Sequence, residues 1–180
     1  MEENRYSEWV KNSSGVRFVD ILLIGNVQGL GLIDVELIKE FPEIKIDSKL
    51  QEDLLKKLRH ITLSELWVMG SYELIRLMKE IVLRDKDIFS NETKIKIKEL
   101  LSTFTEIRIP LAKFQERGNN RLYSGVTIPK FDSVKGIGWE IIISNKKGVN
   151  TKIIYRKDLG DGFLELLRLF NKDINTKSKK

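Results

Sequence analysis

A chain of 180 residues with 41% apolar and 32% charged side chains and three prolines has the length of one domain and enough apolar surface for an ordinary core. Cysteine is absent and histidine occurs once, which excludes disulfide frameworks, zinc fingers, iron–sulfur centres and thiol nucleophiles and removes most imidazole chemistry. No apolar run approaches the ~20 residues of a membrane span, and the opening Met1-Glu2-Glu3-Asn4-Arg5 is acidic where a signal peptide is basic, so a cytoplasmic protein with no cofactor and no metal is expected.

In chain order, residues 4–12 suit a short helix bearing Tyr6 and Trp9, stopped by Ser13-Ser14-Gly15. Val16 to Ile24 is rich in Val, Ile, Leu and Phe and closes on Gly25-Asn26, the pattern of a strand and turn. Leu32 to Leu37 alternates with period two, which suggests a second, half-buried strand, with a helix as the competing reading. Pro42 ends that element.

Capping boxes at Ser48-Lys49-Leu50-Gln51 and Thr62-Leu63-Ser64-Glu65 predict two helix starts, one running to about Arg59 and one from Leu63 to about Leu83. Gly70 lies on the apolar stripe of the second, where a glycine admits close approach of another chain segment. A further helix from Ser90 or Asn91 contains Pro110, which predicts a kink or break near Arg108. The roughly six-residue connection between the two long helices favours an antiparallel pair. Ile137 to Ser144 and Val149 to Arg156, joined by Asn145-Lys146-Lys147-Gly148, read as a β-hairpin, and a helix capped by Asp158 or Asp161 carries Phe163, Leu166, Leu167 and Phe170. Residues 171–180 hold one apolar side chain and are expected to be a disordered basic tail beyond a single α+β domain spanning 1–170. The expected fold is therefore α+β: an antiparallel sheet from the N-terminal strands and the C-terminal hairpin, covered by the long helical pair, with a C-terminal helix.

Several constellations bear on chemistry. Gly25 to Gly31 lies after the expected strand, where a phosphate loop would be, but Asp34 stands where a dinucleotide fingerprint needs its last glycine and no Gly-Lys follows, so a turn is expected. Asp34 or Asp20 followed by Glu43-Ile44-Lys45 has the D…ExK order and resembles the restriction-nuclease-like family. That resemblance implies Asp34 and Glu43 as ligands of Mg²⁺ and Lys45 as the residue positioning water. Two paired long helices with a histidine resemble ribonucleases of the HEPN type in architecture. Their arginine four to six residues before histidine is missing, because His60 directly follows Arg59. A helix-terminal His60 serving the dipole is the plainer reading. Glu73, Arg76, Glu106 and Arg108 suit an ionic cluster between the long helices.

Of the formal +6, residues 108–157 hold eleven basic groups against three acidic, a local +8, interleaved with Phe114, Tyr123, Phe131, Trp139 and Tyr155. Cations with stacking faces suit nucleic acid, and they equally suit a protein partner. The expectation is a non-catalytic binding or accessory protein that meets a partner protein or nucleic acid through Arg117, Arg121, Tyr123, Lys130, Lys146, Lys147, Lys152 and Arg156. Its rivals are the metal-dependent nuclease and a structural homo-oligomer built on an apolar surface of the Trp67 helix.

Overall fold

The computed structural model describes residues 2–18, 21–113, 123–145 and 148–177. Helix α1 (Glu2–Ser13) passes through a 3-10 turn (Ser14–Phe18) towards α2 (Leu22–Glu40), and a second 3-10 turn at Phe41–Glu43 precedes α3 (Gln51–Arg84) and α4 (Asn91–Lys113). Strands β1 (Tyr123–Asp132), β2 (Gly136–Asn145) and β3 (Gly148–Tyr155) then form an antiparallel meander in the order β1-β2-β3, and α5 (Arg156–Lys177) follows without a break. Among the described residues no helix is long and apolar enough to cross a membrane.

The expected N-terminal strands are not there: the sheet comes wholly from the strands after α4, and residues 22–40 are helix. The reason lies in which side chains α2 buries. Val27, Gly31, Asp34 and Leu37 are all buried, at steps of four, three and three, whereas Leu32 is exposed. That is a helical period, and packing overrides the ~1 kcal/mol that each interior glycine costs. Gly25 to Gly31 is accordingly helix and not a turn. At Gly31 the absent side chain matters, since a Cβ there would lie 2.5 Å from Cγ of Trp9.

The two expected middle helices are one element of 34 residues, about 50 Å long at 1.5 Å per residue. Ser48 does act at the start, its hydroxyl accepting from the Leu50 amide at 3.2 Å and donating to Asp53 at 2.5 Å, but Thr62 is an exposed residue of the helix interior. Local capping chemistry yields there to the continuous buried stripe Trp67, Val68, Ser71, Leu74, Ile75 and Met78. Gly70 accepts Leu30 of α2, whose Cδ2 would lie 3.2 Å from an added Cβ, and the Trp67 indole donates to the Leu30 carbonyl at 2.9 Å. Helix α4 starts at Asn91, with Ser90 accepting from the Thr93 amide, and continues through Pro110 to Lys113. It runs antiparallel to α3, Ile97 lying beside Val82 near the connection and Arg108 beside Glu73 further along.

Strands β2 and β3 correspond to the expected hairpin, and Ile137, Trp139, Ile141 and Ile154 point into the core. Asp132 closes the β1–β2 turn by accepting the amides of Val134 and Lys135, which hold its carboxyl below the usual range, and Gly136 takes φ +79°. Helix α5 extends through residues 171–177, the first part of the expected tail. Asp173 accepts from the Ser90 amide and from the hydroxyls of Ser90 and Thr93, while Ile174 packs on the core. Those anchors supply the ordering energy that composition alone did not promise.

Two glycines of α2 make a matched test. Gly31→Ala drives a methyl into Trp9 and is expected to cost ~2–3 kcal/mol, whereas Gly29→Ala, with nothing within 4 Å, is expected to stabilise by ~1 kcal/mol. Urea unfolding of both variants reads the difference.

Candidate functional site

Three helices converge on one carboxylate. Asp34 of α2 is fully buried, and its Oδ2 accepts from Arg5 Nε of α1 at 2.6 Å and from the Trp9 indole N–H at 3.1 Å. Its Oδ1 is held by Nη1 of Arg156, the first residue of α5 and itself buried. Arg5 also reaches Asp161 on the next turn of α5 at 2.5 Å. Two guanidiniums and two carboxylates thus neutralise one another. A Cβ on Gly160 would lie 2.8 Å from both Arg5 Nη2 and Asp34 Oδ1, so only glycine lets α5 sit this close. Burial works against the charge of Arg5, but Asp34 and Asp161 outweigh it and raise its pKa. At Arg156 burial wins over Asp34, with the like charge of Arg5 acting in the same direction, and its pKa is lowered.

His60 of α3 lies near this cluster, at one wall of a cavity of about 40 Å³ that Arg156, Lys157, Gly136 and Phe41 also line. It is a mid-helix residue, not the helix-terminal one expected. Its ring packs 5.6 Å from Phe41, which in turn stacks on Phe131, and Lys57 lies over Phe131 at 5.0 Å. Burial first, and then the charge of Arg156, lower the His60 pKa to about 4, against a smaller opposing pull from Glu40. The imidazole is therefore neutral at pH 7. His60 Nδ1 and the hydroxyl of Ser64, one turn on, are both buried without hydrogen-bond partners, so they form no Ser–His nucleophile pair.

Of the D…ExK residues, Asp34 spends its oxygens on Arg5, Trp9 and Arg156, while Glu43 and Lys45 are exposed after α2. Glu43 lines a surface groove with Glu40 and Arg59. Asp34 and Glu43 are therefore not brought together as metal ligands with Lys45 beside them, and among the described residues no group of three His, Asp or Glu side chains could hold a metal ion.

Of the basic segment's candidates, Lys130 pairs with Glu140 at 2.9 Å and Lys152 with Glu106 at 3.1 Å, and Arg156 is the buried partner of Asp34. Two further cations there are also engaged: Lys135 pairs with Asp158 and Arg108 with Glu73, the latter guanidinium also lying over the Tyr72 ring. Tyr123 opens β1, whereas Arg117, Arg121, Lys146 and Lys147 fall outside the described residues. Of the expected ionic cluster, Glu73, Arg76 and Arg108 come together, whereas Glu106 pairs with Lys152 instead.

One surface was anticipated only in outline, as an apolar surface of the Trp67 helix. In the first half of α3 the buried face carries Asp53, His60 and Ser64, while Leu54, Leu55, Leu58 and Leu66 on the helix and Leu50 just before it are 43–67% exposed. At 100° per residue these leucines occupy an arc of about 160° that also holds Gln51, Ile61, Thr62 and Glu65 and contains no cation. Burial raises the pKa of Glu65, with the Trp139 indole pulling the other way without completing a hydrogen bond. Of the cations flanking the arc, Arg59 is matched by both oxygens of Glu40 and Lys57 donates to the Ile46 carbonyl at 3.1 Å, while Lys56, further round the helix, pairs with Glu52. Scans of family models, curated proteins and solved structures each found no match to this chain.

Asp34→Asn leaves Arg5 and Arg156 buried with one countercharge fewer and is expected to cost about 3–5 kcal/mol in urea unfolding, against under ~1 kcal/mol for Asp161→Asn, which removes a half-exposed carboxylate. The lone histidine gives a second check. With a folded pKa of about 4 against ~6.5 unfolded, only the unfolded chain takes up the proton between those values, so the His60 contribution is lost as pH falls from 6.5 to 4. Relative to His60→Gln, the natural chain is expected to lose about 2 kcal/mol across that window, and its single imidazole resonance should titrate near pH 4 by NMR.

Proposed function

We propose that this chain is a non-catalytic, cytoplasmic binding protein that acts by docking a partner protein on the leucine face of α3. The observation that carries the reading is the inverted first half of that helix, which turns Asp53, His60 and Ser64 inward and a row of leucines outward. A row of five exposed leucines, interrupted only by Gln51, Thr62 and the half-buried Glu65 and free of cations, is a contiguous apolar patch of the kind that marks contact surfaces. At its border Arg59 is matched by Glu40 and Lys57 is turned to the Ile46 carbonyl, which lessens like-charge repulsion of an approaching partner, a second copy of the chain included.

A nucleic-acid partner draws less support. Counterion release needs cations free to meet phosphates, and Arg108, Lys130, Lys135 and Lys152 of the basic segment are committed to Glu73, Glu140, Asp158 and Glu106. That reading rests on Arg117, Arg121, Lys146 and Lys147.

A photo-crosslinking residue placed at exposed Thr62, within the leucine arc, and separately at exposed Ser102 of α4 tests the proposal in living cells. Protein adducts are expected from position 62 only, and are expected to disappear when Leu55→Glu and Leu58→Glu are added without a change in melting temperature. Equal adducts from both positions, or adducts indifferent to the glutamates, would overturn it.

A further inference from the structure

The far end of α3 carries a second and chemically different surface. Between the last turns of α3 and the first turns of α4 lies a groove of about 160 Å³ floored by Val82, Leu83 and Ile97. Four lysines ring it: Lys79 and Lys86 from the α3 side, Lys94 and Lys98 from α4. None of the four makes an ion pair with a described carboxylate, and Lys94 instead donates to the Lys86 carbonyl at 2.8 Å, tying the two sides of the rim together. Most other described cations of this molecule are paired. Lys96, set between Lys94 and Lys98 in sequence, points the other way to Glu165 of α5.

We infer that this groove docks an acidic amphipathic segment of a partner protein, with one or two bulky apolar side chains on the Val82–Leu83–Ile97 floor and carboxylates on the lysines. A cavity of about 150 Å³ accommodates a benzene ring, so the floor has room for a leucine or phenylalanine side chain. Four ammoniums on two helices and their connection, around an aliphatic floor, match a helix that carries apolar residues at i, i+3 and i+4 with glutamates alongside. Single-stranded nucleic acid is the poorer fit, because no aromatic side chain lines the groove to stack on a base. A lipid surface is poorer too, since the feature is concave and receives a side chain instead of inserting one. Half-exposed Leu83 and exposed Ile95 near the rim extend the apolar area a peptide would cover. The groove is at the opposite end of α3 from the leucine face and does not depend on what that face binds.

The test uses the full chain and a fluorescein-labelled helical peptide of about 14 residues with a leucine–phenylalanine stripe flanked by glutamates, titrated by anisotropy and by amide shifts in NMR. Expected are saturable binding in the range of micromolar to tens of micromolar, shifts centred on Val82, Leu83 and Ile97, and weakening by about tenfold with Lys86→Glu plus Lys98→Glu. Both lysines are exposed, so the pair of substitutions leaves the fold intact. The Glu→Gln peptide is expected to bind several-fold more weakly, and Leu55→Glu with Leu58→Glu is expected to leave binding unchanged, which separates this site from the leucine face. Absence of saturable binding up to about 1 mM, equal binding by the charge-reversed protein, or tighter binding of oligothymidylate or phosphatidylserine vesicles than of the peptide would overturn the inference.

Discussion

The fold is pinned at the carboxylate of Asp34. A carboxylate taken out of water must be matched by charge and hydrogen bonds or the site does not form, and here the match comes from Arg5, Trp9 and Arg156, the last of them 122 positions from Asp34 in the chain. Such a cluster adds little net stability, since desolvating the four charged groups offsets most of their attraction. What it supplies is register. Apolar faces of α1, α2 and α5 would tolerate sliding past one another, but only one alignment brings two guanidiniums and an indole N–H onto the same two oxygens. Gly31 under Trp9 and Gly160 beside Arg5 and Asp34 are the positions where a methyl group would keep that alignment from closing.

The cluster also explains the polar interior of α3. Arg156, fixed by Asp34, lies over the Trp67 ring at 5.6 Å, and its charge helps to keep His60 neutral. The first half of α3 therefore meets a charged and polar neighbourhood with Asp53, His60 and Ser64, and its second half meets an apolar one with Leu74, Ile75, Met78 and Ile81. Leucines excluded from the first interior emerge on the outer face. The leucine patch is in this sense a consequence of where the buried charges sit.

Much of the C-terminal half is legible in the sequence because its signals are local. A period of two on either side of Asn145-Lys146-Lys147-Gly148 gives the hairpin, and Ser90 with a helical stripe behind it gives α4. The N-terminal half resists for one reason, which is that a buried aspartate breaks the apolar stripe of α2. With Asp34 counted as polar, Leu32 to Leu37 alternates and reads as a strand; with Asp34 recognised as buried, Gly31, Asp34 and Leu37 define a helix face. No local pattern reveals that Asp34 has arginines waiting at positions 5 and 156. The sequence does name Asp34 and Arg156 as notable, but as a metal ligand and a surface cation, because charged residues are read as solvated unless a partner is known.

Charge summed along the chain likewise hides charge arranged in space. Residues 108–157 carry +8 in sequence, yet in the fold Glu73, Glu106 and Asp158 from outside that stretch, with Glu140 and Asp34, meet five of its cations. Residues 61–107 sum to −1, yet Lys79, Lys86, Lys94 and Lys98 stand together at one groove while Glu73 and Glu80 take Arg76, and Glu106 takes Lys152. Coulomb interactions at the surface fall off over a Debye length of ~8 Å in physiological salt, so a partner senses neighbours in space and not totals in sequence. By that measure five cations of the segment of highest formal charge are neutralised where it is described, and a near-neutral segment presents a cluster of four lysines without ion pairs to described carboxylates.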